Sequence, residues 1–264
     1  MRLTVVGCAG SFPSAESAAS SYLVEADDAE GRTWRVVLDL GNGALGPLQR
    51  YCDPATVDAF AISHLHADHS ADLVVLGVYR RYHPAGTGAG TSVPVFGPVG
   101  TRGRLAQLAG TDPATDVSGH LDVREWVEGA GVDVGPLRLE PVAVRHPVPA
   151  FGIRVIGPAE GDPARRVVLA YSGDTDSCPG LDALAAGADL LLCEAGFLDG
   201  RDDAVRGVHL TGRRAGEAAA GGGSARLVLT HLPAWNDSNV TLAQARAAYA
   251  GPTELARPGA VYPI

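Results

Sequence analysis

The sequence predicts a layered α/β fold. Its 264 residues are 46% hydrophobic and 19% charged, which is enough apolar material for a large core. Short β-branched runs separated by turn-forming residues fill the N-terminal part, and strand-like and helix-like segments alternate towards the other end. Because α/β folds of this length often form one unit, we predict a single domain over residues 1–264 with a weak divide near residues 128–135.

The N-terminal half begins as a strand meander and then becomes mixed. Leu73, Val74, Leu76 and Gly77 recur at helical spacing, which predicts a helix there. In chain order, the predicted elements are strands 3–7, 21–25 and 34–39, a short helix 44–51, strand 57–62, helix 70–81, a surface loop 84–94, strand 93–96 and helix 101–108.

The C-terminal half alternates more regularly. The predicted elements are strands 137–144, 151–156 and 167–171 with a turn at 157–166, helix 181–186, strand 189–193, helix 211–220, strand 226–229 and helix 242–249. Each strand of this half ends at a polar residue followed by a loop. In layered α/β proteins this edge is where sites lie, so we look for one there.

The charge balance restricts the partners. The formal net charge is −9 and every basic residue is an arginine. An acidic surface repels phosphate backbones, so a long nucleic acid is a less favoured partner than a small substrate. The sequence shows neither a basic-then-apolar leader nor an apolar run approaching ~18 residues, so we expect a cytoplasmic protein with no membrane partner.

A histidine cluster is the strongest chemical signal in the chain. His64, His66, Asp68 and His69 follow a hydrophobic strand and precede a helix. Alternate residues leaving a strand point the same way, and the next turn brings Asp68 and His69 back beside them. Three imidazoles and a carboxylate suit Zn²⁺ or a similar first-row ion.

This H-x-H-x-D-H pattern resembles the metallo-β-lactamase superfamily. The partner positions of that family are matched by His146, Asp174 and His231, each directly after a predicted strand. The resemblance implies that His64, His66 and His146 hold one metal, that Asp68, His69 and His231 hold a second, and that Asp174 bridges the two. It also implies an αββα four-layer sandwich, two mixed sheets flanked by helices. Two divalent ions are expected, with Zn²⁺ as the default and Mn²⁺ or Fe²⁺ as alternatives.

A second pair of residues is similar to the RNase Z-like branch of this family. Glu194 lies in Leu-Leu-Cys-Glu-Ala-Gly, and His209 lies in Gly-Val-His-Leu-Thr-Gly. The likeness implies that a hydroxide bridging the metals attacks phosphorus while His209, oriented by Glu194, protonates the leaving oxygen. The predicted catalytic residues are thus Asp68, His209 and Glu194. The alternative is that His209 only precedes a helix capped by Thr211.

Several short segments of the sequence bear on the substrate. The segments 7–11, 45–50, 80–84 and 231–235 look closest to the atypical cyclic nucleotide phosphodiesterases of actinobacteria, which implies hydrolysis of 3′,5′-cyclic nucleotides. The alternative is tRNA 3′-end processing, although the chain between His146 and Asp174 is too short for the tRNA-gripping arm of RNase Z enzymes. Another esterase or thioesterase and a non-catalytic metal-binding scaffold are lesser alternatives, and a homodimer is open.

Several polar residues near the cluster are predicted to support it. Asp39 is expected to orient a ligand histidine, and the hydroxyls of Ser63 and Thr230 are expected to do the same. His83 is expected to have a structural role at a helix end, while the adjacent Arg80 and Arg81 are alternative phosphate contacts. His120 is expected at the surface.

Overall fold

The computed structural model describes residues 1–83, 92–111 and 120–264. Residues 84–91, most of the predicted surface loop, lie outside the described ranges.

The first sheet has seven strands among the described residues. They are β1 (Arg2–Gly7), β2 (Ser21–Asp27), β3 (Thr33–Leu38), β4 (Ala59–Ala61), β5 (Val93–Gly97), β6 (Leu121–Glu125) and β14 (Val261–Pro263). Their order is β14-β1-β2-β3-β4-β5-β6. The strands from β14 to β3 pair antiparallel, and β3 to β6 run parallel. The carboxyl ends of these parallel strands therefore meet at one edge.

The second sheet also has seven strands within the described ranges. They are β7 (Val132–Val134), β8 (Leu137–Ala143), β9 (Phe151–Ala159), β10 (Asp162–Tyr171), β11 (Leu190–Glu194), β12 (Leu227–Thr230) and β13 (Thr253–Leu255). Their order is β13-β12-β11-β10-β9-β8-β7. Strands β7 to β10 are antiparallel and β10 to β13 are parallel, so this sheet is mixed as well.

Helices cover the outer face of each sheet. They are α1 (Leu45–Leu48), α2 (Ala67–Ser70), α3 (Asp72–Tyr82) and α4 (Thr101–Ala109) in the first half, and α5 (Pro179–Ala185), α6 (Gly212–Gly222) and α7 (Ser238–Ala248) in the second, with one 3-10 turn at Pro54–Thr56. Leu48, Leu76 and Leu105 pack from the first group against Phe60 and its neighbours.

The two sheets face each other across the largest apolar cluster. Leu3, Tyr22 and Val36 of the first sheet contact the same cluster as Val155 and Leu192 of the second. Burying both inner faces against one another removes the most apolar surface from water. The predicted αββα four-layer sandwich is confirmed.

The predicted elements are present, with differences at their ends. The predicted helix 70–81 corresponds to α3, which begins two residues later, and the short helix α2 before it was not predicted. The predicted turn 157–166 is wrong in extent, because β9 and β10 continue to Ala159 and from Asp162, with a register shift between Asp162 and Arg166. Strands β6, β7, β13 and β14 were not predicted.

The predicted divide at residues 128–135 falls where the chain changes sheets. Strand β6 ends the first sheet at Glu125, and β7 begins the second at Val132. Both the single-domain interpretation and the homodimer stay predictions. In the part of the chain that the structure describes, no helix has the length and apolar character needed to cross a bilayer.

Candidate metal centre

The histidine-rich segment leaves β4 at the carboxyl edge of the first sheet. The turn after β3 supports this segment, because the amide of Leu40 donates a hydrogen bond to the carbonyl of His69 at 2.9 Å. A Cβ on Gly41 would lie 2.0 Å from the carbonyl oxygen of Asp68, so only glycine allows this approach. The turn at 41–43 thus has a structural purpose, which is to support the segment carrying the histidines.

One group of donor atoms gathers beside His66. The Nδ1 atom of His66 lies 3.0 Å from Nε2 of His64 and 3.1 Å from Nε2 of His146. A carboxylate oxygen of Asp174 completes the group, and all four ligand atoms lie within 4.8 Å of one another. Since His146 follows β8 and Asp174 follows β10, the second sheet supplies half of this group.

A second group of donor atoms shares Asp174 with the first. Nε2 of His231 lies 3.1 Å from Oδ2 of Asp68 and 3.4 Å from Oδ2 of Asp174. Nε2 of His69 lies 3.2 Å from Oδ1 of Asp174. These four ligand atoms also lie within 4.8 Å of one another. The structure therefore brings all seven predicted ligand residues together in two groups joined by one carboxylate.

Two buried atoms of the second group suit a bound cation. Nε2 of His69 and Oδ1 of Asp174 are buried and lie 3.2 Å apart, but neither has a well-aligned hydrogen bond to the other or to any other described residue. Leaving buried polar atoms unpaired costs free energy, so such atoms usually have a ligand, water or ion as partner. Imidazole and carboxylate together are donors for a divalent first-row ion.

The protonation of the first group favours metal binding. Burial lowers the pKa of His64, His66 and His146, so each is neutral near pH 7. Although burial opposes the ionisation of Asp174, the imidazoles of His231 and His69 hold its pKa well below the usual range. Neutral imidazole and ionised carboxylate are the forms that bind metal.

Asp39 fixes the orientation of His69, as predicted. Its Oδ2 atom lies 2.7 Å from Nδ1 of His69, and it accepts hydrogen bonds from the hydroxyls of Ser63 at 2.7 Å and Tyr171 at 2.6 Å. Burial opposes a charge on His69, but Asp174 and Asp39 outweigh it and raise the pKa of the imidazole. Because Asp39 holds Nδ1, Nε2 of His69 faces Asp174 at 3.2 Å, and a cation bound there would displace the proton from Nε2.

Glu194 and His209 form a hydrogen-bonded pair beside both groups. Oε1 of Glu194 lies 2.9 Å from Nδ1 of His209 and also accepts from the amide of Thr175 at 3.0 Å. Its Oε2 accepts from the amide of Gly196 at 2.9 Å. Burial disfavours the charged imidazole, yet the Glu194 carboxylate more than compensates and raises the pKa of His209 to about 9.

The chemistry open to this pair is cation binding or proton exchange. Glu194, His209 and His231 also form a possible cation-binding group. However, the Glu194 oxygens already serve two amides and one imidazole, which leaves little capacity for an ion. With Nδ1 on Glu194, Nε2 of His209 is the nitrogen left for a substrate.

The fold and this centre agree with the comparison to known families. The family described as Beta-lactamase superfamily domain matches residues 34–232, which include every residue of the two donor groups. The chain belongs to the beta-lactamase superfamily. Membership and the histidine–aspartate cluster together identify a metallo-hydrolase of this fold, with a donor set for divalent ions.

Relatives within the superfamily match nearly the whole chain. An uncharacterized protein of Mycobacterium leprae is 40% identical over 268 aligned positions, covering 100% of this chain and 89% of its own. The metallo-beta-lactamase fold protein YhfI from Bacillus subtilis is 27% identical over 99% of both chains. Its crystal structure has a TM-score of 0.81 at 26% identity, covering 99% of this chain and 98% of that one. A ribonuclease Z of Myxococcus xanthus is 29% identical, covering 98% of this chain and 96% of its own.

These relatives confirm the predicted place in the RNase Z-like branch of the superfamily. The likeness to cyclic nucleotide phosphodiesterases stays a prediction.

Besides Tyr171, the centre contains a second supporting residue that the sequence did not reveal. Asp176 is wholly buried and accepts hydrogen bonds from Nε of Arg206 at 2.8 Å, from the amide of Gly207 at 2.6 Å and from Nη1 of Arg214. Its own amide donates to the carbonyl of Arg145 at 2.9 Å. Asp176 thus fastens the segment before His209 to the segment before His146.

Two further predictions about supporting residues differ in outcome. Ser63 behaves as expected, because its hydroxyl lies 3.1 Å from Nδ1 of His64. The prediction for Thr230 is wrong: its hydroxyl pairs at 2.6 Å with the hydroxyl of Tyr22, which lies in the neighbouring sheet. A hydroxyl next to a ligand in sequence therefore need not contact that ligand.

The remaining candidates are not members of either donor group. Nη1 of Arg80 lies 3.5 Å from the carbonyl of Ala55, which precedes β4, whereas the histidines follow β4. Arg81 is exposed on the same helix, and the ring of His83 packs at a tilt against Tyr79 with centroids 4.9 Å apart, which agrees with a structural role. His120 is half-buried and not at the surface as predicted.

Proposed function

We propose that this protein hydrolyses phosphodiester bonds and that its substrate is a small 3′,5′-cyclic nucleotide. The observation that carries the proposal is the pair of donor groups sharing Asp174, with the Glu194–His209 pair directly beside them. Two cation sites joined by one carboxylate are typical of enzymes that attack phosphate esters.

The ligand assignment is part of the proposal. His64, His66 and His146 would hold one divalent ion, Asp68, His69 and His231 would hold the other, and Asp174 would contact both. Zn²⁺ fits this donor set, and Mn²⁺ or Fe²⁺ are alternatives. When bound, two such cations supply positive charge that activates water and offsets the charge on a phosphoryl group.

The chain's own residues provide orientation and a proton. Asp39 and Ser63 keep His69 and His64 in position through the hydrogen bonds described above. In the proposed reaction a water oxygen adds to phosphorus and the bond from phosphorus to the 3′ oxygen breaks. Nε2 of His209 gives its proton to that oxygen, and the proton that the water loses restores the imidazolium, so the product is a nucleoside 5′-monophosphate with a free 3′ hydroxyl.

The short chain segment between His146 and Asp174 favours a small substrate. This stretch holds only the hairpin of β9 and β10, with its turn at residues 160–161. A projecting arm that grips a large RNA has no chain from which to form there. The net charge of −9, with arginine as the only cation, also favours a small anion over a long phosphate backbone.

A second candidate is tRNA 3′-end processing. The likeness to a ribonuclease Z over nearly the full chain favours this activity. It uses the same donor groups and the same His209, so the two candidates differ in substrate size and not in chemistry.

The deciding experiment offers both substrates to the same metal-loaded protein. Hydrolysis of 3′,5′-cyclic AMP is measured beside cleavage of a tRNA precursor with a 3′ trailer. Asp174→Ala removes the shared carboxylate, and Asp182→Ala, an exposed aspartate on α5, serves as the matched control. Circular dichroism shows whether each variant is folded.

Cyclic AMP turnover that is lost in Asp174→Ala, kept in Asp182→Ala and accompanied by an intact precursor would support the proposal. Trailer removal without cyclic AMP turnover would transfer the function to tRNA processing. Hydrolysis of neither substrate, but of bis(4-nitrophenyl) phosphate, would keep the phosphodiesterase chemistry and reject the nucleotide.

A further inference from the structure

Two large aromatic side chains are exposed together near the metal centre. The rings of Phe12 and Trp235 have centroids 4.9 Å apart and an interplanar angle of 42°. Phe12 is 37% exposed and Trp235 is 64% exposed. Keeping such apolar area in water is unfavourable, and aromatic side chains are enriched where proteins bind other molecules.

The loop carrying Phe12 begins at the second donor group. The amide of Ser11, the residue before Phe12, lies 3.2 Å from Nε2 of His231. Adjacent Cα atoms are about 3.8 Å apart, so the backbone of Phe12 lies only one residue beyond the contact between Ser11 and the predicted ligand His231. Gly10 joins the two aromatic loops, since its amide donates to the carbonyl of Leu232 at 3.2 Å.

The loop carrying Trp235 runs from His231 towards His209. Asn236, the next residue, donates from Nδ2 to the carbonyl of Gly196 at 2.9 Å. Gly196 packs on His209, because a Cβ at this glycine would lie 3.3 Å from Cγ of the imidazole. Trp235 is thus carried by a segment with one end at a predicted metal ligand and the other beside the predicted proton donor.

Hydrogen bonds hold both loops in place. The amide of Phe12 donates to the carbonyl of Gly10 at 2.8 Å, and Nη1 of Arg201 donates to Oδ1 of Asn236 at 2.9 Å. A surface that is already ordered loses little conformational freedom when a flat ligand stacks on it.

We infer that Phe12 and Trp235 form a stacking platform for the base of the substrate. The inference rests on the proposed function, in which His209 protonates the 3′ oxygen of the ribose. The base is attached to that same ribose, so it lies on the His209 side of the phosphate, where the Trp235 loop also lies. Every nucleobase has a flat face, so stacking accepts purines and pyrimidines with differences of degree.

The kinetic test separates base binding from chemistry. Trp235→Ala is expected to raise KM for cyclic AMP by about ten-fold or more, with kcat within about two-fold of wild type. Hydrolysis of 1-deoxyribose 3′,5′-cyclic phosphate, which has no base, is expected to be unchanged. Trp235→Phe keeps an aromatic face and should recover most of the affinity. Tyr82→Ala removes an exposed aromatic from the end of α3 and is the matched control.

A binding experiment tests the stacking platform without relying on turnover. Adenosine 5′-monophosphate is titrated while tryptophan fluorescence is recorded. Saturable quenching is expected in wild type and its loss in Trp235→Phe, since Trp126 is buried and Trp34 is half-buried. Quenching without cyclic AMP hydrolysis leaves the platform standing and rejects the proposed substrate.

Three results would overturn the platform while sparing the proposed function. One is an unchanged KM in Trp235→Ala with no quenching in wild type. Another is an equal rise of KM for the base-free analogue. The third is a lower sedimentation coefficient of Trp235→Ala than of wild type, with the same KM for cyclic AMP. That result would mean that the aromatic pair is a contact between two copies of the chain.

Discussion

Replacing Asp176 by asparagine should destabilise the fold and weaken the site together. Asparagine keeps the size and one oxygen of the side chain but removes its charge. Arg206 is 53% exposed at its side chain, so losing that ion pair costs at most about 1 kcal/mol. Arg214 is only 10% exposed, and breaking a buried pair from one side costs about 3–5 kcal/mol.

The expected loss for Asp176→Asn is therefore about 3 kcal/mol, at the lower end because an oxygen can still accept from the amide of Gly207. At roughly 2 °C per kcal/mol for a chain of this size, Tm should fall by about 6 °C. Thermal unfolding followed by circular dichroism measures it. A fall in kcat/KM should accompany it, since Asp176 anchors the segment that leads to His209.

A double-mutant cycle tests the reason for the loss. If the cost comes from an uncompensated charge on Arg214, then adding Arg214→Met should recover part of the stability lost in Asp176→Asn. A Tm within about 2 °C of wild type for Asp176→Asn would refute the reasoning. So would a double variant whose loss equals the sum of the two single losses.

Three further predictions concern the pair beside the metal centre and the support of His69. His209→Ala should lower kcat for cyclic AMP by about 10²–10⁴-fold but affect bis(4-nitrophenyl) phosphate far less, because 4-nitrophenolate leaves without a proton; equal losses would contradict the role. Glu194→Gln removes the carboxylate that raises the pKa of His209, so the pH at which kcat falls on the alkaline side should move down, and an unmoved pH–rate profile would argue against it. Asp39→Asn should weaken metal binding by about 10–100-fold in competition with a chelator, and unchanged affinity would show that His69 does not depend on Asp39.

The sequence predicted those parts of the centre that depend on local geometry. His64, His66, Asp68 and His69 lie within one strand-to-helix turn, so their proximity follows from chain direction alone. Asp174 follows a strand in the same way, and sheets align strand ends at one edge. The αββα layers followed from the resemblance that these residues established.

Features set by long-range contacts were not predictable in this way. The ion pair of Asp176 and Arg214 joins residues 38 apart, and neither is unusual in its own segment. Thr230 finds Tyr22 from the opposite sheet, 208 residues away, instead of its neighbour His231. Pro158 and Pro163 indicate a long turn, but cross-strand pairing of β9 with β10 outweighs these local preferences.

Each donor group takes atoms from both sheets. His64 and His69 follow the first sheet, whereas Asp174 and His231 follow the second. Cations bound there would therefore link the two sheets to each other at the edge where the ligands meet. In a partly unfolded chain whose sheets have separated, neither group is complete, so tight ion binding reports that the layers have docked. Metal binding should then be a late event in folding, and loss of the metal should be an early sign that the two sheets have separated.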